Sequence, residues 1–292
     1  MSFVNLTEML EDARKNKYAI PAFDVCNSDM IRAVVEVCEE EKSPCILMGL
    51  KVDLEGNGLP LLAGAAKIMA EQVSIPVCLH LDHSTSLEDI KRAIDAGFSS
   101  VMYDGSTLPF EQNAENTRKV VEYAHSKGVT VEAELGHVCD GVAGTESSIK
   151  DTVEENPEDS LTDVEEVAKF IEITNVDALA VAVGTAHGVY KSTPVLRFDR
   201  LTEIDKVSKS PLVLHGGSGT PDSDVQKAIS LGITKINVFS EVLYGLNTGL
   251  RDKLNSIENM SMWPVFVYED AVKNMKEVVR NKIRVFGSNN RV

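Results

Sequence analysis

The sequence predicts an α/β protein built as a single (β/α)8 TIM barrel over residues 1–292, and three observations carry that expectation. Eight short apolar or β-branched runs alternate with longer stretches of helical periodicity. No linker rich in Pro, Gly or Ser divides the 292 residues into separate units. One long polar segment interrupts the alternation after the fifth run, where a barrel of this kind carries its active-site loops. A doubly wound open sheet shares the alternation and is the competing architecture.

The elements follow in order. The first run, AIPAF at 19–23, leads into SDMIRAVVEVCEEEK, a helical stretch that starts on serine, one of the residue types favoured at helix starts. PCILM at 44–48 is the second run and PVCLHLD at 76–82 the third, the latter followed by SLEDIKRAIDAG, which starts on Ser and stops on Gly as helix caps require. SSVMYD at 99–104 precedes NAENTRKVVEYAHSKG, and VTVEAEL at 129–135 is the fifth run. Residues 138–162, VCDGVAGTESSIKDTVEENPEDSLT, are polar and contain glycine, and predict a long mobile loop after strand five. TDVEEVAKFIEITN, the run DALAVAV at 177–183, the run PLVLH at 211–215, DSDVQKAISLG and the run TKINVF at 234–239 complete the set. The tail from about 263, WPVFVYEDAVKNMKEVVRNKIRVFGSNNRV, contains a helix that packs on the barrel or on another subunit.

Composition narrows the function. A net charge of −16 opposes binding to nucleic acid or to an acidic membrane surface, because either polyanion is repelled by the average field. No apolar run approaches the roughly 20 residues that span a bilayer, and MSFVNLTEMLEDARKNKY lacks the apolar core of a signal peptide, so a cytoplasmic location is expected. Five cysteines without a CxxC pair, in a chain of this size, predict reduced thiols.

Catalytic groups in such a barrel come from the C-terminal ends of strands. Those ends carry Asp82 and His83, Asp104, Glu134 and His137, Thr185 and His187, His215, and Asn237 with Ser240. His83, His187 and His215 each follow a different strand, and three neutral imidazoles facing one mouth suit Zn²⁺ or a similar divalent ion with an open position. A single histidine at a strand end is more often a hydrogen-bonded structural residue; three together favour a metal. His80, inside its run, is read as core, and His125 as surface. Gly216, Gly217, Ser218 and Gly219 lie between a strand and a helix, so backbone N–H groups there can surround a phosphate, or form a plain tight turn.

The motifs LHLDH, SVMYDGS, VEAELG, VAVGTAHGVYK, PLVLHGGSGTPD and KINV, in order over nearly the whole chain, resemble the class II, metal-dependent fructose- and tagatose-bisphosphate aldolase family. The tail AVKNMKEVVRNKIRVFGSNNR is most similar to the tagatose-bisphosphate branch. The resemblance implies a zinc-dependent lyase that cleaves a phosphorylated ketose to dihydroxyacetone phosphate and an aldehyde, and a homo-oligomer, dimer or tetramer. It implies His83, His187 and His215 as metal ligands, Asp82 as catalytic acid/base, and Glu134 as a metal contact in some members. Gly188, Lys191, Gly216, Ser218, Asn237 and Ser240 match positions around the substrate's 1-phosphate and the adjoining carbons, with a monovalent cation (Na⁺ or K⁺) near that phosphate.

Departures from the family pattern bear on substrate. Asp24 stands where bisphosphate members usually have Asn, Phe239 replaces Asn or Asp, and Leu50 falls where Ser or Thr often helps hold the distal phosphate. WPVFVY lacks arginines that bisphosphate aldolases carry nearby. In the loop, Gly141 and Val142 occupy the places of acidic residues, leaving Asp140 or Glu146 as substitutes. Cys139 and His137 alone do not define a second metal site. A Schiff-base aldolase needs a lysine inside the barrel, and Lys235, at the start of the eighth run, is expected to lie away from the catalytic rim. A non-catalytic phosphosugar-binding or partner-stabilising barrel, and a metal-dependent hydrolase, are the other readings.

Overall fold

A computed structural model describes residues 3–139, 160–188 and 193–292. Eight parallel strands close into a barrel in the order β1 to β8, each hydrogen-bonded to its sequence neighbours and β8 to β1. The strands are β1 Ile20–Asp24, β2 Cys45–Leu50, β3 Val77–Ser84, β4 Ser100–Tyr103, β5 Thr130–Leu135, β6 Ala178–Val181, β7 Leu212–Leu214 and β8 Ile233–Val238. Each coincides with a predicted run. The anticipated mobile loop has residues 140–159 outside the described residues, as are Asp140, Glu146 and Lys191.

The helices are α1 Leu6–Asn16, α2 Ser28–Glu41, α3 Gly58–Ala70, α4 Leu87–Ala96, α5 Phe110–His125, α6 Val164–Thr174, α7 Phe198–Val207, α8 Asp222–Ser230, α9 Ser240–Ser256, α10 Pro264–Val267 and α11 Glu269–Val285. Their starts are set by side chains that satisfy first-turn N–H groups: Asn27 Oδ1 accepts from Met30, Ser86 Oγ from Glu88 and Asp89, and Asp163 Oδ1 from Glu165. Gly97 and Asn175 end α4 and α6 in the left-handed conformation.

Period-two alternation divides the strand residues between two cores. One side chain set, including Leu79, Leu81, Val131 and Ala133, packs outward against the helices. The other, including Ile20, Ala22, Ile46, Met48, Cys78, Ala178, Ala180 and Val213, fills the lower interior with Leu6, Met9, Leu10 and Ala13 of α1. Sequence reasoning assigned no role to α1. It closes the N-terminal end of the barrel: the Leu6 N–H donates to Thr130 Oγ1, and Arg14 donates to the carbonyls of Ser208 and Lys209. The tail helix α11 packs on α9 and α2, where Arg284 and Arg280 pair with Glu41. The apolar plug at one end leaves the polar interior residues for the other.

Candidate active site

The upper interior is polar. His80, Asp82, Ser100, Glu132, Glu134, His215, Lys235 and Asn237 are all buried; His215 directly follows β7 and the others lie on β3, β4, β5 and β8. Consecutive residues on a regular strand face opposite sides, yet Asp82 and His83 both reach the mouth. The register of β3 against β4 shifts between Leu81 and Ser84, and His83 takes φ = 44°, a left-handed conformation uncommon outside glycine. This irregularity re-aims the His83 ring and leaves its Nε2 3.9 Å from Asp82 Oδ2.

Three imidazoles meet there. His83 Nε2 lies 2.9 Å from His215 Nδ1, which lies 3.3 Å from His187 Nε2. The remaining nitrogen of His83 is 2.9 Å from Asp104 Oδ2, and that of His215 is 2.9 Å from Glu132 Oε1. A carboxylate can only accept, so each takes a ring N–H and turns the other nitrogen toward the centre, as in metal sites whose outer partners fix the tautomer. Glu134 Oε2 is buried, makes no hydrogen bond among the described residues, and lies 3.9 Å from His215 Nδ1. Converging ring nitrogens beside an orphaned carboxylate oxygen are the donor set of a divalent cation. The residues present therefore fit a metal. A second grouping, His83, Asp104 and Glu134, shares the same space.

Electrostatics separates the groups. Burial alone lowers the His83 pKa, but Asp82 and Asp104 outweigh it and hold that ring well above the usual histidine range. Burial and the neighbouring rings push His187 well below it, and burial, partly offset by Glu132, lowers His215. Burial opposes ionisation of Asp82, yet the surrounding His83, His215 and Lys235 keep its carboxyl below its ordinary value. Glu134 moves the other way, raised by burial and by Asp104. Asp82 is thus held as a carboxylate, and the Asn237 Nδ2 amide donates to it at 3.2 and 3.4 Å.

Beside the imidazoles lies the glycine loop after β7. Gly216 has φ = 68°, and a Cβ on it would sit 2.2 Å from the Ala186 carbonyl oxygen, so only glycine lets this loop approach the segment carrying His187. Gly188 also has a positive φ of 77°. Ser218 Oγ accepts from the N–H groups of Phe239 and Glu241, fixing the start of α9 at Ser240, and the Gly219 N–H donates to Glu241 Oε1 at 2.6 Å. Ser218 and Gly219 thereby bind the β7 loop to the β8 end.

One expectation fails. Lys235 is not remote from the site: its ammonium is fully buried, 2.7 Å from Asn237 Oδ1 and 2.9 Å from Glu132 Oε2. A strand residue two positions before Asn237 faces the same side, and the long lysine side chain reaches upward. His80 is buried as expected, but it lies among polar groups, 2.8 Å from Ser100 Oγ and 3.8 Å from Glu132 Oε2. Glu132 was missed, although the alternation in VTVEAEL places Glu132 and Glu134 on one face. His137 Nδ1 lies 3.0 Å from Ser106 Oγ and 4.0 Å from Glu134 Oε1.

The family profile described as "Fructose-bisphosphate aldolase class-II" matches residues 4–291. The YdjI aldolase from Escherichia coli K12 is 32% identical with a TM-score of 0.86, covering 99% of both chains. A putative fructose-1,6-biphosphate aldolase from Coccidioides immitis is 29% identical with a TM-score of 0.85, covering 97% of this chain and 96% of that one. Fructose-bisphosphate aldolase from Campylobacter jejuni, at 23% identity and a TM-score of 0.83, shares the fold over 99% of this chain and 97% of its own.

Proposed function

The chain belongs to the class II fructose-bisphosphate aldolase family, and from that premise we propose that it catalyses reversible, metal-dependent aldol cleavage of a ketose 1-phosphate or ketose 1,6-bisphosphate to dihydroxyacetone phosphate and an aldehyde. The observation that carries this reading is the convergence of His83, His187 and His215 beside an ionised Asp82 on the rim of the barrel. His83, His187 and His215, with Glu134 as a further donor, would hold the metal. When bound, a divalent ion such as Zn²⁺ supplies Lewis-acid charge that stabilises the enediolate of the dihydroxyacetone phosphate half.

The chain's own groups do the rest. Asp82 accepts the C4 hydroxyl proton while the O–H electron pair forms the C4 carbonyl, the C3–C4 pair becomes the C2–C3 double bond, and the C2 carbonyl pair moves onto its oxygen to give the enediolate. In the synthetic direction the same carboxyl returns the proton. The Asn237 amide holds Asp82 in place, and the loops bearing Gly188, Lys191, Gly216, Ser218 and Ser240 grip the 1-phosphate, so remote binding energy orients the reacting carbons. C3 of the product takes its proton from a loop acid, Asp140 or Glu146.

The distal end of the substrate is proposed to be uncharged or weakly anionic. Leu50 pairs in register with Asp82, placing an apolar side chain at the neighbouring strand end. Asp24 is 4% exposed and ends β1, and Phe239 packs partly against the outer core. These residues offer a distal phosphate few charge-assisted donors. Parallel kinetics on fructose 1-phosphate and on fructose and tagatose 1,6-bisphosphate test this, with bound metal and dihydroxyacetone phosphate release measured throughout. The monophosphate is expected to show the higher kcat/KM; a clear bisphosphate preference overturns the distal assignment, and no product from any ketose phosphate overturns the aldolase reading. A homo-oligomer is also proposed: Tyr244, Met260, Trp263, Val265 and Phe266 are exposed apolar residues of the α9–α10 region.

A further inference from the structure

The most deeply buried charges among the described residues, Glu132 and Lys235, have no part in the proposed cleavage step. Both are 0% exposed, and their ion pair lies directly beneath the rim. Burying two charges is a poor route to stability, since apolar side chains of similar volume fill such a place without the desolvation cost. The contacts indicate another use.

We propose that Lys235 is a positioning residue: its ammonium fixes the Asn237 amide in the one orientation that turns the amide NH2 toward Asp82, while its pairing with Glu132 holds the acceptor that orients His215. The argument is one of donors and acceptors. An ammonium only donates, so the Asn237 atom 2.7 Å from Lys235 Nζ is the carbonyl Oδ1. The opposite face of the amide is then NH2, and it meets the two oxygens of Asp82, which only accept. Rotation of the amide by half a turn would set NH2 against the ammonium and an oxygen against the carboxylate, which is unfavourable at both ends. On the other side of Lys235, Glu132 spans the ammonium through Oε2 and the His215 ring through Oε1. One buried cation therefore governs both the carboxylate proposed as base and the tautomer of a proposed metal ligand.

This inference rests on the aldolase reading for its kinetic consequence, and the test separates the two. The Glu132→Gln/Lys235→Met variant removes both charges together, retains an acceptor for the His215 N–H, and frees the Asn237 amide. Cleavage should fall by up to about 100-fold in kcat with little change in KM, the result of misplacing a group that acts in the transition state. Exchange of the dihydroxyacetone phosphate C3 hydrogen with solvent, which breaks no C3–C4 bond and does not call on Asp82, should persist. In an Asn237→Ala background the same pair of substitutions should add no further loss, because the link to Asp82 is already cut. Glu132→Gln/Lys235→Gln, whose amide can again donate to Asn237, should recover part of the activity. Equal loss of cleavage and exchange, or full additivity with Asn237→Ala, overturns the proposal. If the methionine variant does not fold, Asn237→Ala alone decides, since wild-type kcat for cleavage in that variant is incompatible with the chain of contacts. Should the wild-type protein cleave no ketose phosphate, the aldolase reading fails by itself. The positioning claim is then judged by a crystal structure of the charge-free variant, where an unchanged Asp82–Asn237 contact overturns it.

Discussion

Asp82 and His80 sit two residues apart on β3, face the same interior, and differ in what a proton does to each. Asp82 is kept ionised by its cationic surroundings, so Asp82→Asn should lower cleavage kcat by about 10²–10⁴-fold, the usual worth of a positioned acid/base. Zinc content measured by elemental analysis should stay at the wild-type level, because the three imidazoles are untouched. His80 is the opposite case: burial, reinforced by Lys235, depresses its pKa to about 4. The unfolded chain binds that proton near pH 6.5 while the native one does not, so this residue's contribution to stability is complete above pH 6.5. It declines as the pH falls toward 4, by about 3 kcal/mol over the window. Urea midpoints at pH 7 and pH 5 check this: His80→Gln should show a shallower acid dependence than the wild type, and parallel curves would contradict it. At this scale the three histidines were legible because each lies at or a few residues beyond the end of an apolar run, where a polar residue stands out. Lys235 and Glu132 were not, because a charged residue inside a strand pattern reads as solvent-facing unless its partners on distant strands are known.

At the level of elements, eight strands could be read from composition because their outward faces are continuously apolar, and the caps Ser86 and Asp163 announced α4 and α6. The barrel-closing role of α1 could not be, since the contacts that define it, to the start of β5 and to the Ser208–Lys209 turn, are more than 120 residues away. The turn after β3 was equally hidden: the register shift at Leu81–Ser84 and the left-handed His83 depend on pairing with β4. The glycine loop after β7 was visible as a motif, but its tightness was not. Gly216→Ala would place a methyl group 2.2 Å from the Ala186 carbonyl in a backbone conformation that disfavours alanine. We expect it to cost about 1–3 kcal/mol of stability through strain. The segment bearing His187 and Gly188 should move, raising KM for the phosphorylated substrate more than it lowers kcat. Thermal unfolding together with steady-state kinetics checks both effects, and a stable variant with wild-type KM would show that the loop has no part in substrate binding.

The molecule as a whole carries a net charge of −16, and the barrel mouth sets the carboxylates of Asp82, Asp104 and Glu132 around its imidazoles. Such a field favours a cation and disfavours an anionic sugar phosphate, so the proposed metal both neutralises the mouth and makes room for the substrate's charge. It would also join the ends of β3, β5 and β7 with the segment after β6. A ligand that binds only the folded chain stabilises it, by about 2.7 kcal/mol when its free concentration is 100 times the dissociation constant. Removing the metal with a chelator should therefore abolish cleavage and lower the unfolding temperature together, and added Zn²⁺ should restore both. Proton linkage supplies an independent sign. The neighbouring Asp82 and Asp104 raise the pKa of His83 and so favour a proton on the metal-free ring, whereas a ligating nitrogen must be bare. Zinc uptake near pH 7 should release a proton, and affinity should strengthen as the pH rises through the range in which His83 titrates. Calorimetric titration in buffers of different ionisation enthalpy measures that proton directly. Zinc binding with no proton release and no pH dependence would place the ion elsewhere on this acidic surface, away from His83.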